Sequence, residues 1–88
     1  MTIVIKRDGS KEKFKADKIR KGIENASKRT DIDKKRAKEI AERVAKRVAD
    51  YFKNRDEVRS EEIRDRVLSE LDREERKIAN EFRAYRKV

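Results

Sequence analysis

The chain has 88 residues, with 28 Lys and Arg against 19 Asp and Glu, a net charge of +9, and neither His, Cys nor Pro. That length supports one domain with a modest core, and missing Cys excludes disulfide staples and thiolate metal sites. Missing His removes the commonest general base and metal ligand.

The longest aliphatic run, Ile3-Val4-Ile5, is far too short to span a membrane, and no charged-then-apolar leader precedes it. A soluble, cytoplasmic protein without a membrane partner is the expectation. Charged residues make up 53% of the chain, which fits either a hyperthermophile surface laced with ion pairs or an engineered sequence. The apolar residues are too regularly spaced for disorder. Residues 1–30 hold ten cations against four anions, residues 31–59 ten against seven, and residues 60–88 eight against eight. The positive excess therefore sits at the N-terminal end, where it favours a polyanionic ligand or simply a cationic, soluble surface.

In chain order, Thr2 to Arg7 reads as a strand, with Thr2, Val4 and Lys6 on one face and Ile3, Ile5 and Arg7 on the other. Asp8-Gly9 predicts a two-residue type I′ turn that folds Lys11 to Phe14 back onto it. From Ala16 the spacing Ala16, Ile19, Ile23, Ala26 predicts a helix ending near Arg29 or Thr30. Gly22 inside that helix costs about 1 kcal/mol relative to Ala, which suggests close approach by the hairpin or by a ligand base.

Asp31 or Asp33 can cap a second, longest helix with the stripe Ala37, Ile40, Ala41, Val44, Val48, Tyr51 and Phe52. Tyr51 and Phe52 read as core or helix end, because no alternation of basic and aromatic residues surrounds them. Asn54 to Glu57 reads as a loop and Val58-Arg59 as a short third strand. Ser60 is placed to cap a third helix buried through Ile63, Val67, Leu68 and Leu71, with Glu61 and Glu62 set against its dipole. Asp72 with Glu75 resembles a capping arrangement for a fourth helix with the stripe Ile78, Phe82, Tyr85. The expected fold is α+β: a small three-stranded sheet packed on four helices, order β-β-α-α-β-α-α, in a single domain over residues 1–88.

Ser10, Ser27, Ser60 and Ser69 have no His to activate them, and the carboxylates alternate with cations at helical spacing. Catalysis is therefore not expected. With only two glycines, a P-loop cradle of backbone amides is also excluded. Any phosphate must be held by side chains, and Lys6, Arg7 and Lys18 supply three cations near the hairpin and the next helix, with Val4 and Ile19 as apolar walls.

The segment Val4-Ile5-Lys6-Arg7-Asp8-Gly9, then Phe14 and Lys18-Ile19, resembles the ATP-cone family, a small nucleotide-sensing domain of ribonucleotide reductase large chains and of the repressor of their genes. Val58-Arg59-Ser60-Glu61-Glu62-Ile63 is similar to that family's third strand and helix start. Ile78-Ala79, Phe82 and Tyr85-Arg86-Lys87 are similar to its closing helix. The resemblance implies a regulatory domain that binds ATP or dATP with Mg²⁺ and acts through oligomer state, either with itself or with a parent enzyme or repressor chain.

It also implies nucleotide-binding roles for Val4, Lys6, Arg7, Glu12, Lys18, Ile19, Ser60 and Lys87. From the charges of these residues we expect Glu12 to accept from the adenine amino group while the cations hold phosphates. One departure stands out. The family carries Asp or Asn directly after the Phe, where it can cap the first helix, and this chain has Lys15. Two alternatives stand beside the sensor: a basic nucleic-acid-binding module, and a designed scaffold that keeps the fold without the ligand.

Overall fold

The computed structural model describes residues 2–84. Its elements are β1 (Ile3–Ile5), β2 (Lys11–Lys13), α1 (Ala16–Ser27), α2 (Lys34–Phe52), β3 (Glu57–Arg59), α3 (Ser60–Glu74) and α4 (Arg76–Ala84). The order is the expected β-β-α-α-β-α-α, with strands arranged β2-β1-β3. The central strand β1 runs antiparallel to β2 and parallel to β3, so that Val4 stands opposite both Glu12 and Val58.

β1 and β2 are shorter than their pattern suggests, because only three residues of each find ladder partners, while β3 is one residue longer than expected and takes in Glu57. The hairpin turn differs from the type I′ expectation. Gly9 N–H donates to Lys6 O at 2.9 Å and Lys6 N–H donates to Ser10 O at 2.8 Å. Three residues therefore form the loop, and Gly9 (φ +88°) is its only left-handed residue. Asp8 avoids positive φ because its carboxylate accepts from Ser10 N–H at 2.9 Å and from Ser10 Oγ at 2.6 Å, an Asx-type closure that suits a three-residue hairpin with a terminal glycine.

Helices pack against one face of the sheet. Val4 and Val58 meet Ile23 and Ala26 of α1, Ile40, Ala41, Val44, Val48 and Phe52 of α2, Val67 and Leu71 of α3, and Ile78 and Ala79 of α4 in one buried cluster. Thr2 is buried as well, its hydroxyl 2.8 Å from Arg55 O and 3.2 Å from Phe52 O, which pins the start of β1 to the end of α2. Leu68, expected inside, is only half-buried, and Glu70 takes a buried place on α3 instead.

Of the two candidate caps for α2, Asp33 serves, accepting from Arg36 N–H at 2.8 Å. Asp31 instead pairs with Lys77 of α4 at 3.1 Å. Ser60 is the first residue of α3 rather than its cap. There the Glu62 carboxylate reaches back to Arg59 N–H at 2.9 Å; Arg59 has no acceptor on its side chain, so only this half of a capping box operates. The break between α3 and α4 lies at Glu75, whose backbone is extended (φ −161°, ψ 101°). Glu75 O accepts from Ile78 and Ala79 N–H to start α4. Asp72 plays no part in that start and pairs with Arg83 at 3.0 Å.

Candidate functional site

Alternation along β1 and β2 places Val4, Lys6 and Glu12 on the helix-facing side of the sheet. The Glu12 carboxylate lies 3.2 Å from Lys6 Nζ and 2.9 Å from Lys18 Nζ on the first turn of α1. Lys18's hydrogen bond holds the Glu12 carboxyl below its ordinary range, against partial burial that opposes it, and Lys6 adds to the effect. Ile19, beside Lys18, packs against the core. Five of the eight residues singled out in the sequence thus converge: Val4, Lys6, Glu12, Lys18 and Ile19.

Arg7 does not join this group. From the hairpin tip its guanidinium reaches Glu61 of α3 at 3.4 Å. This contact draws the tip toward the N-terminus of α3, where Ser60 precedes Glu61. The third cation is thereby directed to the helix start rather than to the Lys6 and Lys18 pair. Lys87 and Tyr85 lie outside the described residues.

A cavity of about 470 Å³ lies between α1, α3 and α4, lined by Gly22, Asn25, Ala26, Arg29, Arg64, Glu81 and Phe82 and by none of the five convergent residues named above. Its volume falls in the range of small-molecule sites. Gly22 is one helical turn beyond Lys18, about 6 Å along the axis. A Cβ on Gly22 would meet Phe82 Cε2 at 3.5 Å, so the element that approaches the glycine is α4, not the hairpin. Arg64 stacks over the Phe82 ring, 5.3 Å from its centre, and donates to Phe82 O and Arg83 O at 3.2 and 3.1 Å.

Gly22 had a signal in the sequence through its cost in a helix, and Ala26 and Phe82 through the apolar stripes of the first and fourth helices. Arg64 and Arg29 carried none, since one more Arg in a chain this basic has no distinguishing pattern. Among the described residues there is no group of three metal-ligating side chains, and no helix is long and apolar enough to cross a membrane.

A mixed three-stranded sheet on four helices, with cations from a hairpin and the following helix set around one carboxylate, describes a small α+β ligand-binding domain. The family model for the ATP cone domain matches residues 2–88, and the chain belongs to that family of regulatory nucleotide-binding domains. The chain is also 33% identical over 69 residues to the transcriptional repressor NrdR of Streptococcus sanguinis (strain SK36), a match covering 78% of this chain and 43% of that protein. The chain thus corresponds to less than half of that relative's length.

Proposed function

We propose that this domain binds an adenine nucleotide, ATP or dATP carrying Mg²⁺, and that occupancy changes how the chain associates with itself or with a larger enzyme or repressor chain. The observation that carries this reading is the placing of Lys6 and Lys18, from two separate elements, around one anion, with the cavity walled by Gly22 and Phe82 beginning one turn further along α1. Phosphates would lie against the lysines, with the base toward Ile19, Gly22 and Phe82. Arg7, Ser60 and Lys87 would extend the phosphate side, and Val4 would close the sheet side. Mg²⁺ would arrive on the phosphates, which suits the absence of an acidic metal cluster among the described residues.

No part of this needs bond-making chemistry, in keeping with a regulatory rather than a catalytic role. The nucleic-acid reading is less well supported, because many cations are matched by carboxylates along the helices, including Arg20 with Asp17 and Glu24, and Arg43 and Arg47 with Glu74.

Calorimetric titration with ATP, dATP and GTP plus Mg²⁺ at physiological salt tests the proposal, alongside sedimentation velocity with and without nucleotide. Adenine nucleotides should release heat, Lys18→Ala should abolish it, and the sedimentation coefficient should shift on binding. Absence of heat with any nucleotide would defeat it. Steeply salt-dependent DNA binding that ATP does not alter would favour the nucleic-acid module.

A further inference from the structure

Away from the trio of Lys6, Glu12 and Lys18, one arginine serves two places at once. Arg64 stands on α3 one turn after Ser60, on the same face, and lines the cavity. From there a single nitrogen reaches the end of α4: Arg64 Nη2 donates to Phe82 O at 3.2 Å and to Arg83 O at 3.1 Å, while the guanidinium lies over the Phe82 ring. Both carbonyls belong to the last turn of α4, where a helix supplies no donors of its own and a cation suits the dipole. With nine residues α4 is the shortest helix among the described residues, too short to hold itself together without tertiary contacts. Ile78 and Ala79 bury its first half in the core. Its last turn relies on Phe82, on the Arg64 clamp and on the Arg83 contact to Asp72 at 3.0 Å.

We infer that Arg64 couples the ligand to the end of α4: phosphate of a bound nucleotide draws its guanidinium off the Phe82 and Arg83 carbonyls, and the last turn of α4 loosens. The inference rests on the nucleotide reading above. A charge-assisted hydrogen bond is about twice as strong as a neutral one, so a guanidinium that serves two neutral carbonyls through one nitrogen gains by turning its fork to a phosphate. Ser60, assigned above to the phosphate side, lies about 6 Å from Arg64 along the axis of α3, which puts that anion within reach of the arginine. When Arg64 lets go, the Arg83 to Asp72 pair still holds α4 alongside α3, so the change is confined to the last turn. That turn leads in sequence to Lys87, also assigned to the phosphate side. Occupancy thereby acquires an output on an element other than the hairpin and α1, which grip the ligand.

The test follows amide hydrogen exchange by NMR in the wild type and Arg64→Leu, free and with ATP plus Mg²⁺, inorganic tripolyphosphate or adenosine. Leucine keeps an apolar contact with Phe82 and donates nothing; Arg64→Gln, neutral and polar, carries the same comparison if leucine unsettles the fold. In the wild type, ATP and tripolyphosphate should speed exchange of amides 81–84 by roughly three- to tenfold, the equivalent of one hydrogen bond, and adenosine should leave them unchanged. In either variant those amides should exchange faster by a similar factor without any ligand, and phosphate should add nothing. If ATP shifts the Lys18 and Ile19 amide signals of the wild type while amides 81–84 slow down or stay as they were, the coupling role is wrong and the nucleotide reading survives. A free variant whose last turn exchanges like the wild type would overturn the clamp itself. If no phosphate compound shifts any amide, both readings fall.

Discussion

Two regions of this molecule are built from ion pairs and differ in nearly every other respect. Between α2 and α3, Arg43 holds Glu74 through two bonds of 2.7 and 3.0 Å. Arg47 adds a bond of 2.9 Å to Glu74 and stands 3.5 Å from Glu70. Glu70 is only 4% exposed, and Arg66 meets it at 3.2 Å while lying over the Tyr51 ring at 4.1 Å. The planar guanidinium fork locks such pairs. Around the hairpin, flexible lysines hold one carboxylate by single contacts. Arginine binds the seam through two-point contacts, and lysine holds the hairpin carboxylate through one contact each.

The regions differ also in how well they obey local rules. In the seam, the charged groups face partners, although Arg66 Nε is buried without a hydrogen bond, and the helices are regular. At the hairpin end, Glu12 stands in the row of Val4 and Val58, Gly22 sits inside the otherwise continuous α1, and Lys15 precedes α1 with no side-chain cap. Three departures in one place indicate that stability there has been exchanged for something else.

Acid should have the largest effect on this contrast. Arg43's hydrogen bond holds the Glu74 carboxyl below its ordinary value, Lys18's does so for Glu12 and Lys77's for Asp31. A carboxyl whose folded pKa is depressed contributes stability that is fully present above its unfolded value and is lost as pH falls through the folded one. Urea midpoints should be flat above about pH 5 and fall progressively below the ordinary carboxylate range, near 4.5 for Glu and 3.8 for Asp. A midpoint that rises on acidification would contradict these pairings.

Next in size is Glu70→Ala. It leaves Arg47 and Arg66 facing a vacated, water-poor site, and should cost about 2–3 kcal/mol in urea denaturation, toward the lower end for a broken buried pair because both arginines are half-exposed. Glu12→Ala should cost less than about 1 kcal/mol. Equal losses from the two would mean that the seam and the hairpin carboxylate are held with the same strength.

Lys15→Asp acts in the opposite direction. It would supply an acceptor for the free N–H groups of the first turn of α1 and remove a cation from the positive end of the helix dipole, a gain of about 1 kcal/mol. That corresponds to a melting temperature higher by about 4–8 °C in a domain of this size. No gain would mean that the extended backbone at Lys15 (φ −132°, ψ 111°) does not present the side chain to those amides.

The element order and the helix-borne core were legible because the apolar spacing changes period where each element begins. Ala37 to Phe52 lies along one face of α2 much as the pattern indicates, with Tyr51 on the margin at 58% exposed. The direction of β3 in the sheet, the loop type at Asp8-Gly9 and the α3 to α4 break at Glu75 were not legible. They depend on which of several equivalent polar side chains reaches a backbone group first. At the candidate site, Lys6 and Lys18 were recognisable by neighbourhood along the chain. Arg7's turn toward Glu61 and Glu12's grip on both lysines follow from a register and a twist that no short-range pattern encodes.

The smallest effect tests what Gly22 is for. In a helix interior Gly22→Ala should stabilise by about 0.5–1 kcal/mol through backbone entropy alone, and the added methyl would touch Phe82 at 3.5 Å, an ordinary contact that requires nothing to move. If the glycine served packing, the substitution would be harmless. Because Gly22 also lines the cavity, the same methyl should narrow the space proposed for the base. Stability would then rise while ATP affinity falls, with tripolyphosphate affinity unchanged. Opposite movements of melting temperature and nucleotide affinity in one variant would separate the base pocket from the phosphate grip. A parallel rise in both would move the base out of this cavity and leave the lysine trio as the whole of the site.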